Sequence, residues 1–132
     1  MKEIHRHLGC DIPVEYCVAD TASRNDELLA SLRPGSLVIN ATGLGKDAPG
    51  SPLTDAARFP LNGLAWEFNY RGDLGFLRQA RAQQTSRKLH IEDGWIYFIH
   101  GWTSVIAEVF HIDIAVSGPQ FDELARIASL TR

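Results

Sequence analysis

At 132 residues, with 45% hydrophobic and 22% charged residues, the chain has the length and composition of one globular domain with its own core, which excludes disorder. A formal charge of -3 gives no global basic field, so neither nucleic acid nor an anionic membrane is an expected partner. Cys10 and Cys17 are too few for a secreted disulfide framework and are expected as free thiols.

Residues 1–7 carry charges where a signal peptide would need an apolar run, which points to the cytoplasm. Residues 2–8 read as the end of a helix closed by Gly9. His5 and His7 point apart on a helix and are not expected to form a metal pair. A strand is predicted over 14–19. Thr21 or Ser23 then caps a helix carrying Leu28, Leu29 and Leu32, which Pro34-Gly35 ends.

Residues 36–42 (SLVINAT) read as a second strand, whose consecutive Leu37, Val38 and Ile39 predict cover on both faces, as in the middle of a parallel sheet. A Gly- and Pro-rich loop over 43–52 and a short helical turn around 53–58 lead to a third strand over 64–69. A helix follows over 73–84, then a short fourth strand over 88–91. The apolar stretch 95–110 falls short of the about 20 residues that cross a bilayer and contains His100 and Glu108, so it reads as a buried helix. The last helix is predicted from Ser117 as cap and Pro119 at an early position, with Phe121, Leu124, Ile127 and Ala128 on its apolar side. Strands alternating with helices define the expected fold: α/β, a single domain over 1–132 with about four parallel strands.

At residues 38–45 (VINATGLG) the chain resembles the N-A-T-x-x-G segment of the shikimate and quinate dehydrogenase family. Ser51-Pro52-Leu53, the stretch from Trp66 to Tyr70 through Phe76-Leu77, and Asp93-Gly94 before an apolar helix follow in the family's order. The likeness covers residues 14–110. It implies a partial Rossmann-like sheet, the carboxy-terminal part of a nucleotide-binding domain missing its first two strands. It also implies NAD or NADP as cofactor, a cyclic hydroxy acid as substrate, and hydride transfer of the 3-dehydroshikimate/shikimate type in aromatic amino acid biosynthesis.

The same resemblance implies residue roles. Asn40, Ala41 and Thr42 would lie beside the nicotinamide and its ribose, with the Thr42 hydroxyl also within reach of substrate. Glu67 would contribute backbone, and Gly94 would leave room for the ring or its carboxamide. Asn69 stands where the family has a substrate-binding tyrosine, with Tyr70 one place later, and His100 falls where the family has a glutamine. A histidine can donate or accept, but it presents one group where an amide presents two.

The sequence also lacks parts. Gly43-Leu44-Gly45 imitates the start of a G-x-G-x-x-G fingerprint, but residues 46–50 (KDAPG) have no helical period to bring a helix N-terminus to pyrophosphate. The family's adenosine-reading strand and its catalytic lysine and aspartate have no counterpart. An isolated chain of this kind is expected to be inactive. The alternative is a non-catalytic binding or oligomerisation module, and a homodimer through unpaired sheet edges is expected. Trp66, Trp95 and Trp102 are read as core or interface, Arg71, Arg78 and Arg81 as a solvated face, and Tyr97 has no adjacent base.

Overall fold

The computed structural model describes Glu3, His7 and residues 12–130. Glu3 and His7 are helical, as expected for 2–8; the rest of that segment, with the Gly9 cap, His5 and Cys10, lies outside the described residues. In chain order the elements are α1 (Ala22–Ala30), β1 (Leu37–Asn40), β2 (Leu64–Glu67), α2 (Gly75–Arg87), β3 (His90–Glu92), α3 (Trp95–Phe110) and α4 (Pro119–Ser129). The strands form a parallel three-stranded sheet in the order β1-β2-β3. Leu37 pairs with Leu64 and Asn40 with Glu67 across β1 and β2, and Leu64 pairs with His90 across β2 and β3. The α/β class follows from the alternation of strand and helix.

Among the described residues a fourth strand is not formed. Residues 13–20 lie outside the sheet, and Ile12, Val14 and Val18 are exposed. Their alternating apolar pattern suits a strand with one covered face, but nothing covers that face here, and Pro13 has no N–H to give a ladder. Among the described residues β1 is therefore an edge strand with β2 as its one partner. The expectation of cover on both faces fails with it: Val38 packs on the core, whereas Leu37 and Ile39 point outward and are about half exposed.

The main core lies between one sheet face and the helices α1 and α2. Leu29, Leu53, Ala57, Phe59, Ala65, Phe76, Ala80 and Leu89 build it, with Val38 and Ile91 against it. Phe59 and Phe76 meet edge to face at 5.3 Å between centroids, the arrangement favoured by the ring quadrupoles. Thr21 caps α1 by accepting a bond from the Arg24 N–H at 3.2 Å. The predicted helical turn around 53–58 is a single turn, closed by the Ala57 N–H on the Thr54 carbonyl. α2 holds this segment with a polar stripe at four-residue spacing. Gln79 donates to the Leu53 carbonyl, Gln83 donates to Ala57 and accepts from the Phe59 N–H, and Arg87 donates to the Phe59 carbonyl at 2.6 Å.

A second, smaller core joins α3 to α4 through Ile99, Phe121 and Ala125. Pro119 opens α4 as predicted, but the cap is Gly118 at φ 80, with no side-chain bond from Ser117. α3 is not a buried helix: Ile99 and Thr103 are its buried residues, and one of its faces is open to solvent. No helix among the described residues is long and apolar enough to cross a membrane.

Candidate functional site

Parallel strands aim their carboxyl ends the same way, and in open α/β sheets ligands bind beyond those ends. β1 and β2 finish here on Asn40 and Glu67, a registered pair. Along β2 the side chains alternate, so Glu67 falls on the same inward face as Ala65. Both Asn40 and Glu67 are buried, at 1% and 0% exposure. A carboxylate in that position must be hydrogen-bonded.

Glu67 accepts from neutral donors. Asn40 Nδ2 donates to both carboxylate oxygens at 3.1 and 2.8 Å, and Asn69 donates to Oε1 from its backbone N–H at 2.9 Å and from Nδ2 at 2.7 Å. The other end of the Asn40 amide accepts from Thr42, from its N–H at 3.1 Å and its hydroxyl at 2.7 Å. Asn69 Nδ2 also donates to the Leu44 carbonyl at 3.1 Å, and the Leu44 N–H donates to Thr42 Oγ1 at 3.2 Å. The loop after β1 is thus tied to the loop after β2 through one buried carboxylate. Burial pushes the Glu67 carboxyl above its ordinary value, and the bonds from Asn69 and Asn40 pull it part of the way back.

Above this network lies a cleft of about 300 Å³, lined by Ala41, Gly43, Lys46, Asp47, Phe68, Asn69, Tyr70, Tyr97 and Phe98. Its walls are stacked ring pairs: Tyr70 on Phe98 at 3.9 Å and Phe68 on Tyr97 at 4.7 Å between centroids. Lys46 lies 5.8 Å from the centre of the Tyr70 ring and pairs with Asp47 at 2.6 Å, so the cleft carries little net charge. Arg71 lies 5.8 Å from the same ring and precedes α2, off the helix that carries Arg78 and Arg81.

Most of the residues singled out in the sequence meet here. Asn40, Glu67 and Asn69 form the buried hub, Ala41 and Tyr70 line the cleft, and Thr42 turns its hydroxyl inward onto Asn40. Gly94 sits at the start of α3 and donates its N–H to the Asn69 carbonyl at 3.2 Å. A Cβ there would lie 2.0 Å from the Phe68 carbonyl oxygen, so backbone occupies the space its missing side chain leaves. His100 is not in the cleft lining. It stacks on Phe121 of α4, at 4.2 Å and 16°.

Sequence reasoning missed the Glu67 side chain as the hub and the aromatic walls Phe68, Tyr97 and Phe98. The sequence held no signal for Glu67, because alternation over residues 64–69 makes Leu64, Trp66 and Phe68 the apolar side and leaves Glu67 with Ala65 on the other. The ring pairs carry no local signal, because they form between residues nearly thirty apart.

The cleft's chemistry suits one end of a nicotinamide cofactor better than the whole of it. Its lining includes the rings of Phe68, Tyr70, Tyr97 and Phe98, side chains whose faces stack on planar groups. With its nitrogen committed to Glu67 and Leu44, the Asn69 amide has its oxygen to offer an amide N–H. The pyrophosphate has no comparable seat: Gly43 and Gly45 have φ of 76° and 90°, and residues 43–50 lead into no helix. Among the described residues no group of three or more His, Cys, Asp or Glu is placed to hold a metal ion.

Fold and site together define a parallel α/β chain with a small aromatic cleft at the carboxyl ends of its strands. No family model, curated protein or solved structure matches the chain.

Proposed function

We propose that this chain is the carboxy-terminal part of a shikimate- or quinate-dehydrogenase-type oxidoreductase, and that its cleft holds the nicotinamide end of NAD or NADP. The observation that supports this reading most is the Asn40–Glu67–Asn69 hub at the ends of adjacent parallel strands, directly beneath a ring-sized cleft. When bound, the nicotinamide supplies or takes the hydride. Tyr70 and Phe68 then fix the plane of the ring, Asn69 orients its carboxamide, and the hub keeps Asn69 from turning away. Proton transfer to or from the substrate hydroxyl belongs to a lysine and an aspartate that this chain does not supply, so it is inactive when isolated. His100 acts as a brace for α4 in this reading, and the substrate ring is met by Asn69 and Tyr70.

The test is a titration of the isolated chain with nicotinamide mononucleotide, NAD and NADP, followed by quenching of tryptophan fluorescence. All three are expected to bind weakly and with similar affinity, because the adenosine half gains nothing, and Tyr70→Ala should weaken each about tenfold by removing a stacking wall. Absence of binding at millimolar concentration would remove the reading for this chain.

A second reading, a non-catalytic module that kept the scaffold and works by assembly, is favoured by the open β1 edge with its exposed Leu37 and Ile39. Failure of the titration together with self-association would select it.

A further inference from the structure

We infer that Lys46 receives a phosphate carried by the ligand of the cleft, and that Asp47 is the internal carboxylate which that phosphate displaces. The inference rests on the reading that the cleft holds the nicotinamide end of a dinucleotide, and it assigns the charged group one sugar away from that ring.

The turn around Lys46 fixes its place. Its N–H and that of Asp47 both donate to the Gly43 carbonyl, at 3.2 and 2.9 Å, which closes the loop that carries them. A Cβ on Gly72 would lie 3.0 Å from Lys46 Cα, so the backbone of the neighbouring loop stands directly behind it. The Lys46 side chain is 21% exposed, its ammonium lies 5.8 Å from the centre of the Tyr70 ring, and both residues line the cleft. The face of an aromatic ring attracts a cation, which holds the ammonium at the cleft and leaves its donors available to an anion.

The charges at this rim do not balance. Arg71 lies at the same 5.8 Å from the Tyr70 ring, outside the lining, so two cations converge on one ring. Among the described residues Asp47 is the one carboxylate that pairs with either of them, because Glu67 lies beneath and is taken up by Asn40 and Asn69. A doubly charged phosphate answers that surplus better than a carboxylate does.

Asp47 also marks where an oxyanion sits. Its Oδ2 accepts from Lys46 at 2.6 Å and lies 3.6 Å from the point a Cβ on Gly43 would occupy, beside a residue of the lining. The Asp47 side chain is nevertheless 61% exposed, and an exposed ion pair is held weakly. A phosphate oxygen takes this position once Asp47 turns outward, and no bond of the Asn40–Glu67–Asn69 hub breaks. A single ammonium is a point charge, so it holds one phosphate and leaves the adenosine half unsupported.

Paired titrations of the chain with nicotinamide mononucleotide and nicotinamide riboside, which differ by that phosphate, test the inference through tryptophan fluorescence. The mononucleotide is expected to bind about tenfold more tightly at low salt, with the ratio shrinking as salt rises. Lys46→Gln should bring the ratio to about one, and Asp47→Asn should raise it about threefold by removing the competing carboxylate. A ratio near one in the parent, a ratio that survives K46Q, or a mononucleotide bound more weakly by D47N would each overturn the inference and leave the reading of the cleft standing. Binding of neither compound at millimolar concentration would remove both.

Discussion

Glu67 is the residue on which the candidate site turns, because a buried carboxylate ringed by neutral donors has two opposed tendencies. Burial favours the protonated form, while four bonds from Asn40 and Asn69 favour the ionised one, and the balance leaves its value raised. The folded chain therefore keeps this proton to a higher pH than the unfolded chain does. Between the ordinary carboxyl value and the raised one the folded state binds more protons, so stability falls as pH rises through that window and levels off above it. Glu67→Gln cannot titrate. Urea melts over a pH series are expected to show the parent losing stability across the window and E67Q lacking that loss. Identical slopes in the two would contradict the account. At low pH E67Q should also start about 1–3 kcal/mol below the parent, because its new NH₂ meets the Asn40 donor with no acceptor between them. Neither the inward side of Glu67 nor its partners were readable from sequence: alternation over residues 64–69 makes Leu64, Trp66 and Phe68 the apolar side, and Asn40 lies 27 positions away.

At the scale of elements, helices were more legible than strands. α1, α2, α3 and α4 form near their predicted positions, and Thr21 caps α1 as its residue type suggests. The shifts fall at ends: α2 starts at Gly75 after a left-handed Leu74, not at Asp73, and runs on to Arg87. Strand assignments depend on neighbours the sequence does not name. The segment 13–20 has strand composition and no partner, and the apolar run of α3 was read as burial although much of it faces water. Gly94 was legible as important, but for a reason only packing reveals. With φ near −81° its backbone suits any residue, so the demand is purely steric. Gly94→Ala is expected to cost at least about 3 kcal/mol by forcing α3 off the Phe68 carbonyl, measured by chemical denaturation. Gly101→Ala, in open space on the same helix, should be neutral or stabilise by about 0.5–1 kcal/mol. Equal stability of the two variants would show that the close approach at Phe68 is not restrictive.

For the whole molecule, the decisive fact is a sheet with an unclosed side. The Leu64 N–H donates to the Ser36 carbonyl and the Phe68 N–H to Asn40, which turns alternate peptide groups of β1 toward β2. The amides of Leu37 and Ile39 then face outward and those of Val38 and Asn40 inward. Hydrogen exchange should be fast for the first pair and slow for the second. Protection of Leu37 and Ile39 on raising the concentration would instead mean that edges join, as the sequence led us to expect. The α/β class was legible because it rests on local period alone. The number of strands was not, because it rests on which surfaces are covered.

The loops above the hub carry one more consequence. A Cβ on Gly72 would lie 2.1 Å from the Gly45 carbonyl oxygen, and that same carbonyl accepts from the Leu74 N–H at 3.3 Å. The two rims of the cleft are therefore welded backbone to backbone, with no side chain between them to absorb a change. Descendants of this chain can repaint the cleft by exchanging Lys46, Asp47 or Tyr70, whereas lengthening either loop by a single residue obliges the other to change with it. Ligand preference can drift freely here while the aperture keeps its size.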